Sequence, residues 1–480
     1  MRKKKHIVLD EVLVENYAAE GKSLARRDGK VIFIENVVPG DVVDVRLSKN
    51  KKDWAEGHPI HFKSYSKERT EPFCQHFGVC GGCQWQMLPY EKQLQYKHQQ
   101  VFDNLTRIGK IPLPSFRPII GADYHRFYRN KLEFTFSTRE FTAQKPPRRD
   151  FQTHEALDLV STAPAPSHPG VLGFHAKGFF DKIVNIEKCW LQPEPTNELR
   201  NRLRAFALDN DLSFYDYREH RGFLRNLLIR VCLTGEVMVN VVFGEDSGSK
   251  RKKVLDFILE NFPGITTLVY TVNTKRNDSL SDLEPVTYFG KGFIIEKLED
   301  YQFKIGPKSF FQTNTSQAEK LYHVTRDFAQ LDGSQVVYDL YCGTGSIGIF
   351  CSKGAKKIIG VEMIEAAIVD AKENAVLNNI DHAHFFSGDV IDVCNDEFFS
   401  EHGRPDVIIT DPPRAGMHEK LVKKILDMEA PLVVYVSCNP ATQARDLALL
   451  DAKYEVTQVQ PVDMFPHTHH IENVVQLKRK

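Results

Sequence analysis

Between residues 6 and about 66, apolar and polar positions alternate in short runs, as in Lys30-Val31-Ile32-Phe33-Ile34 and Val42-Val43-Asp44-Val45-Arg46-Leu47, with Val38-Pro39-Gly40-Asp41 between them. Strands this short, broken by turn residues at this spacing, predict a small β-barrel. A stretch rich in Lys, Gln and Leu from about Tyr90 to Ile108 predicts a helix. The long middle region mixes predicted strands, Leu132–Phe136 and Val237–Phe243 among them, with a Pro-rich loop between about Gln144 and Gly170. From about Lys308 the pattern changes to strand, glycine loop, helix, strand, helix, the mark of a parallel α/β sheet. No internal repeat or low-complexity tract interrupts it.

With 480 residues and 42% hydrophobic content the chain buries more than one core, and two or three domains are expected. Lys plus Arg equals Asp plus Glu at 63 each, which excludes a global basic field, so any nucleic-acid surface must be local. No run of about 18 apolar residues occurs, and no apolar signal region follows Met1-Arg2-Lys3-Lys4-Lys5. A cytoplasmic protein without a membrane segment is expected. Nine cysteines, three of them within ten residues, fit metal binding or catalysis better than a secreted disulfide framework.

Val336–Tyr341 reads as a buried strand, and Cys342-Gly343-Thr344-Gly345-Ser346-Ile347-Gly348 turns from it into a helix, letting backbone amides approach a ligand closely. By spacing alone this is equally a dinucleotide loop. The second strand, Lys357–Val361, ends at Glu362, whose carboxylate either accepts the two hydroxyls of a ribose or simply favours a helix N-terminus. A third strand ends at Ser387-Gly388-Asp389-Val390, where Asp389 faces the place of an adenine edge or serves as an ordinary turn residue. The fourth, Val407–Thr410, runs into Asp411-Pro412-Pro413-Arg414, whose prolines stiffen the carboxyl edge of the sheet, where ligands bind in open α/β folds. A glycine loop, an acidic strand end and Asp-Pro-Pro in this order resemble methyltransferases rather than dehydrogenases. Arg414 stands where amino-methyltransferases carry an aromatic residue to stack on the base.

The fifth strand, Leu432–Val436, delivers Ser437-Cys438-Asn439-Pro440 to the same edge. A cysteine there is either a small buried hydrophobe or a nucleophile. Pyrimidine C5 is a poor nucleophile, but thiolate addition at C6 makes the ring enolate-like and able to take a methyl group at C5. A base must then remove the C5 proton. Cys438 is the candidate thiolate. Glu472, in His469-His470-Ile471-Glu472-Asn473-Val474, is the candidate base, unless it is merely a surface carboxylate. His467, His469 and His470 are expected to contact phosphate or shape their loop rather than bind a metal.

Together these residues resemble the uracil-C5 RNA methyltransferase family, most closely its 23S ribosomal RNA branch, over nearly the whole chain. The resemblance implies an S-adenosylmethionine-dependent enzyme with a class I Rossmann-like α/β methyltransferase domain over 306–480. It implies a TRAM domain, an OB-like RNA-binding β-barrel, over 1–66 and a central α+β iron-sulfur domain over 67–305, with residues near 87–117 packing on the catalytic domain. Ser309-Phe310-Phe311-Gln312-Thr313-Asn314 is similar to the family's Phe-Phe-Gln motif, which implies that Gln312 contacts the cofactor. Asp339-Leu340-Tyr341-Cys342-Gly343-Thr344-Gly345 resembles its cofactor loop, implying that Tyr341 and Gly343 line the pocket with Glu362, Asp389 and Asp411. Tyr128-Arg129-Asn130-Lys131 is similar to a family segment near the RNA, and Cys438 and Glu472 match the nucleophile and base.

Cys74 and Cys80-Gly81-Gly82-Cys83 place three thiolates on one loop, and Cys189 makes a fourth, a set that chemistry leaves open between zinc and iron-sulfur. The resemblance implies a [4Fe-4S] cluster on these four cysteines, serving folding and RNA positioning. Cys232, Cys351 and Cys394 read as ordinary core or helix cysteines. The expected partner is RNA, 23S rRNA first, with no DNA, membrane or obligate protein partner. A tRNA T-loop uridine is the rival substrate. The barrel and the cysteines favour rRNA because typical bacterial tRNA relatives lack both, although some archaeal tRNA enzymes have them. A non-catalytic RNA-binding assembly factor is the rival class, and intact Gln312, Asp411, Cys438 and Glu472 argue against it.

Overall fold

The computed structural model describes residues 7–142 and 170–480. All of the Pro-rich loop except Gly170 lies outside the described residues. The predicted barrel region forms one six-stranded sheet, in spatial order Val8–Leu13, Val42–Asn50, Trp54–Ser64, Lys30–Ile34, Ser23–Arg27 and Asn16–Tyr17. Period-two alternation turns Ala25, Ile32, Ile34, Val43 and Val45 into a core closed by Val12 and Val14. This sheet does not stand apart from the rest. Tyr17 packs its ring on Trp85 and Tyr96, with centroids 4.9 and 4.5 Å away, and Glu35 pairs with Lys177 at 2.9 Å.

A second sheet has seven strands in the order Val286–Phe289, Thr267–Val272, Val237–Phe243, Leu224–Val231, Lys131–Ser137, Val171–His175 and Ile183–Asn185. One face is apolar. Leu132, Phe134, Leu227, Ile229, Val239 and Val241 bury there with residues of the helices Thr196–Asp209 and Gly248–Asn261. Alternation sends Lys131, Thr135, Asn226 and Arg230 to the other face, and the register pairs Asn226 with Thr135 and Arg230 with Lys131.

The third sheet carries the parallel α/β pattern. Its strands are β1 (Val336–Leu340), β2 (Lys357–Glu362), β3 (Ala383–Ser387), β4 (Val407–Thr410), β5 (Leu432–Ser437), β6 (Tyr454–Val462) and β7 (Glu472–Arg479). They lie in the order β3-β2-β1-β4-β5-β7-β6, with the first five parallel and β7 antiparallel to both neighbours. Every residue of β5 is buried, as expected of a strand covered on both faces. The hairpin Ile294–Leu298 with Tyr301–Ile305 packs into this sheet's core, although it precedes residue 306.

The helix Tyr90–Asn104 also belongs to this core, for Val101 and Leu105 pack among Ala444, Leu447 and Tyr435. Its inner face is polar where it meets the β6–β7 connection. Lys97 Nζ donates to Asp463 Oδ1 at 2.6 Å and to the Phe465 carbonyl at 3.1 Å, and both side chains of the ion pair are 0% exposed. Tyr90 donates to the other oxygen of Asp463 at 2.7 Å. Burying two charges is costly, and only their close pairing and extra hydrogen bonds offset it. Lys97→Met strands the Asp463 carboxylate and is expected to cost about 3–5 kcal/mol of stability, read as a lowered thermal midpoint. Lys92→Met, which breaks the exposed 2.6 Å pair with Glu68, should cost no more than about 1 kcal/mol.

Candidate active site

Five residues chosen from the sequence stand at the carboxyl ends of the parallel strands. Tyr341 follows β1, Glu362 ends β2, Asp389 lies just past β3, Asp411 follows β4 and Cys438 follows β5. The strand order reverses between β1 and β4, which opens a crevice at this edge. After β1 the chain coils through left-handed geometry, with φ of 62° at Tyr341, 53° at Gly343 and 75° at Gly345. A Cβ on Gly345 would stand 2.9 Å from the Phe385 ring and 3.1 Å from Ala371, so only glycine fits. Over Gly343 the space is open, with nothing within 4 Å of an added Cβ. Its N–H donates to Glu362 Oε2 at 3.3 Å, and Oε1 accepts from Ile364 N at 3.0 Å. This half-buried carboxylate beside an open backbone suits a ribose with vicinal hydroxyls. Asp389 Oδ1 accepts from Ile391 N at 2.9 Å and caps the short helix Val390–Val393. Gln312 lies in the segment before the helix Thr315–Ala329, pinned where Asn130 Nδ2 donates to its carbonyl at 2.8 Å and Asn130 N to that of Thr313 at 2.9 Å.

The β5–β7 register pairs Val436 with Val474 and Ser437 with Asn473, so one further step brings Cys438 opposite Glu472. Cys438 is half-buried and Glu472 is buried. Asn439 caps the helix Pro440–Leu450 through Ala441 N at 3.1 Å, and its Nδ2 donates to the Arg414 carbonyl at 3.0 Å. Arg414 Nη2 in turn donates to His470 Nδ1 at 3.0 Å. Burial, reinforced by Glu472 and Asp411, pushes the Cys438 thiol up to about 11, against the pull of Arg414. Burial also raises the carboxyls of Asp411 and Glu472, and Asp411 raises Glu472 further. Burial lowers His467 and His469 to about 4 and His470 to about 3, which keeps these imidazoles neutral. They shape the loop: His467 N donates to Gln93 Oε1 at 2.8 Å, and its carbonyl accepts from Gln84 N and Trp85 N at 2.8 and 3.0 Å.

Cys74, Cys80, Cys83 and Cys189 all line one cavity of about 930 Å³. Burial pushes the Cys80 and Cys83 thiols up to about 12; Cys189 and Cys74 raise both further, and Cys80 also raises Cys83. Burial raises Cys74 and Cys189 as well. Among the described residues, no three or more His, Cys, Asp or Glu side chains gather closely enough to hold a metal ion. Cys232, Cys351 and Cys394 are buried. No helix among the described residues is long and apolar enough to cross a membrane.

Residues 288–480 match the tRNA (Uracil-5-)-methyltransferase family and residues 10–60 the TRAM domain. An uncharacterized RNA methyltransferase from Bacteroides thetaiotaomicron is 51% identical over 464 residues, 96% of this chain and 99% of that protein. The chain belongs to the RNA uracil-5-methyltransferase family. A similar RNA methyltransferase from Porphyromonas gingivalis is 45% identical across 97% of this chain and 99% of its own. The crystal structure of Pyrococcus abyssi tRNA (uracil-54, C5)-methyltransferase with S-adenosyl-L-homocysteine superposes with a TM-score of 0.72 at 28% identity, covering 97% of this chain and all of that one. The C-terminal sheet is thus a class I S-adenosylmethionine-dependent methyltransferase fold, preceded by a TRAM domain.

Sequence reasoning passed over two buried acids that hold the segments around these residues. Asp339, fully buried, accepts from Gly348 N at 2.9 Å and ties the helix after the glycine loop to β1, and burial pushes its carboxyl up to about 7. An acid within an otherwise apolar strand was the available signal. Asp463, which orients the loop leading to Glu472, had no such signal, because its partner Lys97 is 366 positions away. Since the thiolate is the reactive form and Cys438 titrates near 11, its alkylation by iodoacetamide should rise about tenfold per pH unit from pH 7 to 10. Arg414→Ala should slow the reaction at fixed pH. Mass spectrometry of the Cys438 peptide reads both, and a rate already flat above pH 7 contradicts the raised thiol.

Proposed function

We propose that this RNA methyltransferase places a methyl group on C5 of a uridine in 23S ribosomal RNA, with Cys438 as covalent nucleophile and Glu472 as base. The β5–β7 register carries the reading, because it brings a thiol and a buried carboxyl together on the edge that bears the cofactor loop. S-adenosylmethionine supplies an electrophilic methyl group, and Gln312, Tyr341, Gly343, Glu362, Asp389 and Asp411 are the residues that hold it. The target base must leave its stack to reach them. Cys438 loses its proton to solvent water, and the thiolate sulfur bonds to C6, which moves an electron pair toward C5 and the C4 carbonyl. Once C5 carries the methyl group, Glu472 as carboxylate takes the C5 proton. The electron pair of that C–H bond re-forms C5=C6 as the S–C6 bond breaks, returning the sulfur as thiolate. A base whose conjugate acid is raised by burial is better matched to this proton than a solvent-exposed carboxylate.

The TRAM domain and the four cysteines support rRNA as the substrate, and the most similar relatives compared are bacterial. A second reading, tRNA, is supported by the Pyrococcus abyssi tRNA enzyme, which matches over all of its own length. Cys74, Cys80, Cys83 and Cys189 are proposed to hold a [4Fe-4S] cluster. A lone ion needs four sulfurs about 2.3 Å from one point, whereas a cluster spreads its thiolates over several irons, and these four share one wide cavity. The cluster would supply a rigid cross-link between the loop at Cys74–Cys83 and the Cys189 segment. Nine free cysteines support a reducing, cytoplasmic setting.

Unmodified 23S rRNA and tRNA substituted with 5-fluorouridine test the reading, since fluorine at C5 blocks the final deprotonation. With methyl-labelled S-adenosylmethionine the wild type should give a labelled RNA–protein band on a denaturing gel, and Cys438→Ala none. A band with tRNA alone transfers the substrate to tRNA, and none with either RNA despite cofactor binding favours an assembly factor. On ordinary substrate, Glu472→Gln should cut turnover about 10²–10⁴-fold. Protein purified without oxygen should show the broad visible absorption and iron content of a cluster, and Cys189→Ser should lose both.

A further inference from the structure

A cavity of about 390 Å³ lies between residues of three stretches: 122–130 ahead of the strand Lys131–Ser137, the turn at Cys232 and Leu233, and 314–317 at the start of the helix Thr315–Ala329. Only Arg129 of its lining also belongs to the cavity at the four cysteines, so the two are separate sites. Tyr124, Phe127 and Leu233 line it and are 68%, 42% and 68% exposed. Apolar surface gathered around a concavity and left in water marks a place that something covers. Among the described residues the Tyr124 ring stacks on no other ring and its hydroxyl makes no hydrogen bond. Phe127 is held at φ 55°, uncommon for a bulky side chain, with its N–H donating to the Trp190 carbonyl at 2.7 Å. Arg126, between them, rests its guanidinium 3.9 Å from the centre of the Phe73 ring and 5.1 Å from that of Trp190. Among the described residues this exposed cation donates no hydrogen bond and forms no ion pair. Arg129, over Phe465 at 5.4 Å, also meets no acid. The one acid in the lining, Asp123, is paired with Lys320 at 2.8 Å.

Exposed rings beside cations without counter-charge suit one class of occupant. An apolar peptide would cover the rings and leave Arg126 and Arg129 uncompensated, whereas a nucleotide brings a flat base for the rings and a phosphate for the cations. The size fits as well, at the lower end of the roughly 300–1,000 Å³ of small-ligand sites. The cavity adjoins the methyltransferase site, since Asn130, which lines it, donates to the carbonyls of Gln312 and Thr313. We infer that it receives one unpaired base of the RNA, from a nucleotide other than the target uridine, packed against Tyr124 and Phe127. The phosphate of that nucleotide accepts from Arg126, whose face is taken by Phe73 and Trp190 and whose N–H edge is free. Ser316, half-buried in the lining and without a hydrogen bond of its own among the described residues, offers its hydroxyl to the edge of the base. The inference rests on RNA being the substrate and goes beyond the methyl transfer, giving the enzyme a hold on a second base that stacking makes tolerant of sequence.

The test compares binding of two labelled single strands of about a dozen nucleotides, oligoadenylate and the same ribose–phosphate chain without bases, to full-length wild type, Tyr124→Ala, Phe127→Leu and Arg126→Gln. Tyr124→Ala should weaken oligoadenylate binding about 5- to 100-fold, the loss of one base–aromatic stack. Its binding of the abasic chain, its S-adenosylhomocysteine affinity and its thermal midpoint should stay as in wild type. Phe127→Leu should weaken oligoadenylate binding several-fold with the same selectivity. Arg126→Gln should lower the slope of log affinity against log salt by about 0.7 on both strands, which the ring variants leave unchanged. Wild-type affinity in Tyr124→Ala, equal losses on both strands, or no preference of wild type for oligoadenylate overturns the base site. So does a loss confined to S-adenosylhomocysteine, which assigns the cavity to the cofactor. The fluorouridine band separates this from the catalytic reading. A Cys438-dependent band together with oligoadenylate binding that ignores Tyr124 sinks only the base site, and ring-dependent binding without any band sinks only the covalent chemistry.

Discussion

The buried ion pair between Lys97 and Asp463 holds the molecule's distant parts in one arrangement. It joins a helix from the first quarter of the chain to the connection between the last two strands. That connection carries His467, His469 and His470 and leads into Glu472. Asp463 also receives Tyr90 and the backbone N–H of Phe465, and Gln317 donates to its carbonyl, so three separate segments meet at one residue. A carboxylate saturated in this way cannot drift, and the loop beyond it inherits that rigidity. The same loop touches the TRAM domain, where His469 crowds Gly21. The barrel is therefore linked mechanically to the segment that leads into Glu472.

Around Cys438 the protein concentrates groups that resist ionisation. The thiol and both carboxyls are shifted upward by burial, and Arg414, fixed between Asn439 and His470, counters the shift at Cys438 and Glu472. A protonated thiol is a weak nucleophile and a poor target for oxidants.

Local pattern made much of this legible. The α/β alternation, the glycine loop and the strand-end residues Glu362, Asp411 and Cys438 lie within short stretches whose period and turn chemistry speak for themselves. The antiparallel hairpin β6–β7 did not, because Pro461 and the polar run before it blur the alternation. Placing Glu472 needed the register with β5, which no single segment encodes. Lys97 read as one more lysine on a polar helix, since its burial comes from a partner far along the chain. Arg230 and Lys131 are likewise ordinary strand residues until pairing sets them face to face. What escaped the sequence is whatever depends on two remote segments meeting.

The position of β7 also bears on how the protein is made. This strand is translated after the other six yet lies inside the sheet, between β5 and β6. Until it leaves the ribosome, β5 presents an unpaired edge of buried, β-branched residues, a surface open to sticking. The same delay means that a growing chain holds Cys438 without Glu472. The strand that closes the sheet is also the one that brings Glu472 opposite Cys438.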